Sequence, residues 1–384
     1  VDPIYLDHAA TTPVRPEVFA AMEPFFGPRF GNPSSTHRWG REARAALDEA
    51  RERVARCLGA QVDEVVITSG GTESDNLAVL GGWRTMRTGA RHTIVTSPIE
   101  HKAVLGAVHQ AAMEGGVERM LRVLPSGVVD LDDARDAIGS DTAIVTVMWV
   151  NNETGVVQPI PELVALAKSA GAIIHTDAVQ AFGKVPIDTK VLALDFLSLS
   201  GHKLGAPKGV GTMFVRRGTP MEPLFFGGSQ CRGRRPGTEN VAMAVGLATA
   251  MELTLAEHTA EEARLHQLRD EMEARLLAAI PDLVIFGRDA ARAPHVTCCS
   301  VPGTDAETML MALDMAGIAA SGGSACQSGS VGSSHVLSAM GVTPDLAAGQ
   351  LRLSIGSLTT PEQIDRVCSV LPSLAAKART TSTF

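Results

Sequence analysis

Between Val65 and Leu199 the chain repeats short β-branched or apolar runs: Val65-Val66-Ile67-Thr68, Thr93-Ile94-Val95-Thr96, Ala143-Ile144-Val145-Thr146-Val147, Ala172-Ile173-Ile174-His175 and Phe196-Leu197-Ser198-Leu199. Each has the length of a buried strand, and helical segments separate several of them, so the pattern predicts an α/β layer built on a mostly parallel sheet. Such sheets bind ligands at the C-terminal ends of their strands. From Arg41 to Leu58 the apolar residues Ala43, Leu47, Ala50, Val54 and Leu58 keep helical spacing, with Gly59 as a natural stop. A second, highly charged helix is expected from about Glu257 to Ile280, with Leu265, Leu268, Met272 and Leu276 on one face. It is taken to open a smaller C-terminal domain, which divides the chain into a large domain over 13–255 and a small α+β domain over 256–384 joined by 1–12. The Pro/Gly-rich loops over 205–211 and 227–237 fall inside the large domain.

Composition narrows the class. With 384 residues, 45% of them hydrophobic, the chain can bury a sizeable core, and a net charge of -8 gives no reason to expect nucleic acid or an anionic membrane as partner. No apolar run approaches the ~18 residues of a membrane span, and Val1-Asp2-Pro3-Ile4 lacks the basic and apolar regions of a leader, so a cytoplasmic protein is the expectation. The cysteines Cys57, Cys231, Cys298, Cys299, Cys326 and Cys368 are scattered without a C-x-x-C pair, which argues against a disulfide framework or a metal site.

Two strand ends carry candidate chemistry. Asp195-Phe196-Leu197-Ser198-Leu199-Ser200-Gly201-His202-Lys203 places a lysine just after a buried strand, a setting that desolvates the amine enough to attack an aldehyde. Ala172-Ile173-Ile174-His175-Thr176-Asp177 ends a second strand in a carboxylate. A lysine that holds an aldehyde and an aspartate that pairs with a pyridinium nitrogen are the two requirements of a pyridoxal phosphate site. Ser69-Gly70-Gly71-Thr72-Glu73 adds a strand-turn-helix junction whose N–H groups and Thr72 hydroxyl suit a phosphate, although the same turn serves equally as a tight connection. Neither G-x-G-x-x-G nor G-x-x-x-x-G-K-[ST] is present, which lowers the case for dinucleotides and nucleoside triphosphates.

Tyr5-Leu6-Asp7-His8-Ala9-Ala10-Thr11-Thr12, Gly31-Asn32-Pro33-Ser34-Ser35, Gly71-Thr72-Glu73-Ser74, Glu100-His101, Asn151-Asn152-Glu153-Thr154-Gly155, Ser200-Gly201-His202-Lys203 and Arg235-Pro236-Gly237-Thr238 occur in this order. Together they resemble the cysteine desulfurases of the NifS/IscS type, in the class V aminotransferase branch of the fold-type I pyridoxal phosphate enzymes. The resemblance implies a homodimer in which Lys203 forms a Schiff base with the cofactor, His101 stacks on its ring and shares in acid-base steps, and Asp177 holds the ring nitrogen. It further implies that Gln180 bonds the phenolic oxygen and that Gly71, Thr72, Ser200 and His202 surround the phosphate, which Thr238 of the partner subunit would also reach. Asn152 and Arg352 would grip the substrate carboxylate, a task that suits a planar guanidinium. Taken singly, His101 fits a cap, Asn152 a turn and Arg352 a surface strand equally well.

Cys326 separates this pattern from an aminotransferase. It sits in Ser321-Gly322-Gly323-Ser324-Ala325-Cys326-Gln327-Ser328-Gly329-Ser330, too small and polar for a core, hence expected to be an accessible and mobile surface loop. Cys57, Cys298 and Cys299 are read as structural, while Cys231 and Cys368 are left open. The resemblance implies that L-cysteine is converted to alanine while Cys326 takes its sulfur as a persulfide and passes it to an acceptor or scaffold protein for iron-sulfur clusters or other sulfur-containing cofactors. Gln327 stands where the family commonly has a smaller residue, so acceptor recognition is open. A selenocysteine lyase and a class V aminotransferase are the competing activities.

Overall fold

The computed structural model describes residues 2–87, 90–323 and 334–381. Cys326 and most of its glycine-rich segment lie outside the described residues.

Seven strands, β2 (Val65–Thr68), β3 (Thr93–Thr96), β4 (Val117–Met120), β5 (Thr142–Thr146), β6 (Ile173–Asp177), β7 (Phe196–Ser200) and β8 (Gly211–Val215), form one sheet in the order β2-β8-β7-β6-β5-β3-β4. Only β8 runs against its neighbours, so the sheet is mostly parallel as expected. The strands are continuously apolar because both faces are covered. Val65, Val95, Val145, Ile174, Leu197 and Phe214 enter one core, and their chain neighbours Val66, Ile94, Ile144, Ile173, Phe196 and Met213 enter another on the opposite face. The helix Arg38–Leu58 covers the first face through Ala43, Leu47, Ala50, Val54 and Leu58 and stops at Gly59 in the left-handed conformation, φ +68°. The helix Gly71–Met86 covers the second face.

A third core gathers Ile4 and Leu6 with residues from Leu265 onward. Here β9 (Val284–Ile285), β10 (Val296–Ser300) and β12 (Gln350–Ser354) form an antiparallel sheet in the order β12-β10-β9, while β1 (Ile4–Tyr5) pairs in parallel with β11 (Ile318–Ala319). The charged helix predicted from Glu257 is the second half of a 39-residue helix, Val241–Ala279. Its first half is buried almost all round, from Val241 to Met251, and therefore shows no amphipathic period to read. The second half regains one, burying Leu265, Leu268, Met272 and Leu276 in the third core. Among the described residues no helix is long and apolar enough to cross a membrane, and no cluster of His, Cys, Asp or Glu could hold a metal ion.

Candidate active site

The C-terminal ends of β2, β3, β5, β6 and β7 open on one cavity of about 540 Å³. Lys203, Asp177, His101, Gln180, Gly71, Thr72, Ser200, His202, Asn152 and Arg352 all line it. Thr238 does not; it is exposed and borders a neighbouring hollow with Cys231 and Arg235.

Lys203 ends a single 3-10 turn, Gly201–Lys203, that follows β7 directly. Its Nζ lies 2.6 Å from the carbonyl oxygens of both Ala9 and Ala10, so the N-terminal segment holds the amine at the cavity wall. That segment is itself tied to the lysine turn, because Thr12 Oγ1 donates to the His202 carbonyl at 2.9 Å and His202 Nδ1 meets Thr11 Oγ1 at 3.1 Å. Burial, then Lys203 and Lys208, push the His202 pKa down to about 4, so the ring is neutral near pH 7.

Asp177 closes β6 and is 5% exposed, with Oδ1 accepting the Val179 N–H at 2.9 Å. Burial pushes its pKa up, while His101 and Lys203 pull it down. A buried carboxylate in this state gains from any cation brought beside it. Gln180 is fixed at both ends of its amide, donating to Ala9 O at 2.9 Å and accepting from His295 Nε2 at 3.0 Å.

The glycine turn is a cradle at the start of a helix. Gly70 caps the helix Gly71–Met86 at φ +153°, a conformation that favours glycine. Gly211 on β8 packs behind it, where a Cβ would lie 2.7 Å from Gly70 Cα. The start of this helix, whose first N–H groups have no partner within the helix, lines the cavity beside Ser200, and the Glu73 carboxylate takes the Ser69 N–H at 2.8 Å. Cavity size, the helix terminus, the buried Asp177 and the strand-end Lys203 fit pyridoxal phosphate.

His101 does cap, as its single-residue reading allowed: its Nδ1 accepts the Ala103 N–H at 3.2 Å at the start of Lys102–Met113. In the neutral ring the proton then sits on Nε2. Burial chiefly lowers the His101 pKa; Asp177 opposes this and Lys203 reinforces it. Arg352 on β12 is 3% exposed, with Nη2 2.9 Å from Asp7 Oδ1 and Nη1 3.0 Å from the Asn152 carbonyl; its Nε finds no partner among the described residues. It is therefore no surface strand residue.

His335 and Glu153, without a sequence-derived role, complete the wall, and the buried Glu100 stands behind it. His335 donates from Nε2 to the Glu100 carbonyl at 3.0 Å. The Glu100 carboxyl accepts the Met148 N–H at 2.9 and 3.0 Å, and burial pushes its pKa up to about 8. Glu153 accepts from Ser334 at 2.5 Å and Gln350 at 3.1 Å. Glu100 and Glu153 sat inside motifs, but nothing local announced that either would be buried.

The described cysteines are poor nucleophiles. Burial pushes Cys57 up to about 11 and Cys299 up to about 12, and raises Cys298 as well. Of the two left open, Cys231 is half-buried with Sγ 3.0 Å from Arg51 Nη2, and Cys368 packs in the third core; burial raises both.

The chain is similar to known proteins over nearly its whole length. The aminotransferase class-V model matches residues 4–367. The cysteine desulfurase IscS of Dictyoglomus turgidum is 43% identical over 99% of this chain and 96% of its own length. The cysteine desulfurase NifS of Azotobacter vinelandii is 45% identical over 99% and 94%. A solved NifS-like protein superposes with a TM-score of 0.91 at 34% identity, covering 98% of this chain and all of that one. With the strand-end lysine, the buried aspartate and the glycine cradle on one cavity, these matches establish that the chain belongs to the class V aminotransferase family, in its NifS/IscS-type cysteine desulfurase branch.

Proposed function

We propose that this protein is a pyridoxal phosphate-dependent cysteine desulfurase that converts L-cysteine to L-alanine. The observation that carries the reading is the convergence of Lys203, Asp177, His101 and Arg352 on one cavity in a chain 43–45% identical to cysteine desulfurases over nearly its whole length. The cofactor supplies an electron sink for the pair released at the substrate Cα. Lys203 would hold it, Asp177 would face its ring nitrogen, and Gly71, Thr72, Ser200 and His202 would surround its phosphate. Gln180, already locked by Ala9 and His295, would meet the phenolic oxygen.

Arg352 and Asn152 would orient the substrate carboxylate. For this Arg352 must exchange part of its bonding to Asp7 or the Asn152 carbonyl for the ligand, and its unpartnered Nε is a donor in reserve. The Lys203 amine and the His101 ring would move the α proton. Cys326 would take the sulfur as a persulfide and hand it to an acceptor protein; the high pKa values of the described cysteines support the choice. A homodimer completed by Thr238 of the partner subunit accords with the exposed Phe19, Phe26, Phe30, Trp39, Phe225 and Phe226. The large domain over 13–255 and the small domain over 256–384 with 1–12 would then meet at the cavity.

Purified protein incubated with L-cysteine should release alanine, with sulfide in equal amount once dithiothreitol is added. Cys326→Ser should bind cysteine, judged by the cofactor absorption, yet release neither product. Alanine formed at the wild-type rate by Cys326→Ser would remove the nucleophile from this scheme, and turnover of selenocysteine alone would shift the reading to a lyase.

A further inference from the structure

Behind Asp177 lies a second acid. Asp75 projects from the helix Gly71–Met86, just after the glycine cradle, and is 1% exposed. It also touches the cavity wall. No lysine or arginine among the described residues forms an ion pair with it, and its Oδ1 has no hydrogen-bond partner among them. The nearest basic group is His175, whose Nε2 is 3.6 Å from Asp75 Oδ1.

His175 cannot supply a charge. Its ring is fully buried, with Nδ1 2.8 Å from Thr146 Oγ1 and Nε2 2.9 Å from Ser198 Oγ. Burial pushes its pKa down to about 3. Thr146 and Ser198 stand on the strands flanking β6, in register with His175 and Asp177 respectively, so the backbone ladder fixes this arrangement. The titratable groups acting on Asp75 are thus Asp177, neutral His175 and Glu100, which is itself held largely protonated by burial.

Two carboxyls in one buried pocket cannot both ionise without a compensating cation. The two are not equivalent. Asp177 has a backbone N–H bond, and His101 and Lys203 favour its charge. Asp75 faces burial first and Asp177 second, both opposing ionisation, with Glu100 adding to them and only the Ser198 hydroxyl, a smaller influence, favouring the charged form.

We propose that Asp75 holds the proton of this carboxyl pair and is a positioning residue, confining the single negative charge to Asp177. This deepens the reading of the cavity as a pyridoxal phosphate site and rests on it: one localised charge at Asp177 would face the ring nitrogen, with no second carboxylate to share the attraction. Asp75 takes part in no proton transfer; its value lies in staying neutral.

Infrared spectra of the holoenzyme near neutral pH, with natural and carboxyl-¹³C aspartate, test the assignment. The expected result is a protonated-aspartate carbonyl band that moves with the label and disappears in Asp75→Asn. Absence of such a band in the wild type, or its survival in Asp75→Asn, overturns the proposal, and the first measurement needs no variant to fold. A second readout is the pH titration of the cofactor absorption. Asp75→Asn, which keeps a neutral group in place, should move the midpoint by less than about 0.3 unit, a twofold effect, whereas removing an ionised Asp75 would move it by about one unit or more. Neither readout uses the substrate, so a protein that shows the band yet makes no alanine from cysteine fails the desulfurase reading and keeps this one.

Discussion

The two walls of the cavity are built by different means. The wall proposed for the cofactor is a row of strand ends: Lys203 follows β7, Asp177 closes β6 and the glycine cradle follows β2, each placed by backbone hydrogen bonds within one sheet. The wall proposed for the substrate is assembled from distant pieces, with Arg352 on β12 held to Asp7 across 345 residues and to the Asn152 carbonyl across 200. A sheet edge offers a rigid cradle for a group that stays. An ion pair between remote segments offers a cation that can change partners when a ligand arrives and leaves.

That contrast is open to direct tests. Lys203→Ala should abolish turnover, a loss of at least about 10³-fold, while some cofactor stays bound because the rest of the sheet edge is intact. Retained turnover, measured as alanine release, would break the assignment of the cofactor wall. Arg352→Ala should cost roughly 30-fold or more in kcat/KM, the ~2–5 kcal/mol expected on truncating a buried charge pair, with the cofactor spectrum unchanged. Loss of cofactor in this variant would mean that the two walls are not separable.

His175→Asn sharpens the account of the sheet edge. The His175 pKa lies at about 3 in the folded chain, below its ordinary 6.5, so the unfolded state binds the proton first as pH falls. The stability is fully present above pH ~6.5 and is lost as pH drops toward ~3, at about 1.4 kcal/mol per pH unit for one proton. The variant should unfold in denaturant with a pH slope shallower by about one proton over that window, and an unchanged slope would show that His175 is not buried neutral. The smallest effect belongs to Asp7→Asn. Freed from its ion pair, Arg352 should bind the substrate carboxylate roughly two- to fivefold more tightly, a gain of up to ~1 kcal/mol readable as a lower KM. A higher KM would mean that Asp7 aims the guanidinium rather than competing for it.

What the chain disclosed in advance follows the same division. The strand ends were legible because β-branched runs, a following glycine turn and a terminal Lys or Asp lie within a few residues of each other. Asp7 and Asp75 were not. Asp7 sits in a motif with no local sign of its partner, and Asp75 looks like an ordinary polar position of a helix until the sheet is folded beneath it. The long helix Val241–Ala279 hid its first half for the opposite reason, being buried on every side and so without a period. His335 gave no signal, since its role comes from a contact with the Glu100 carbonyl 235 residues away.

The most direct test of the central claim, that the strand-end lysine holds the cofactor at this sheet edge, is borohydride reduction of the purified holoenzyme followed by peptide mapping. The cofactor should be found on the peptide containing Lys203. Its recovery instead on Lys208, which lines the same cavity, or on Lys184 or Lys168, the latter 2.5 Å from Asp195, would contradict the account.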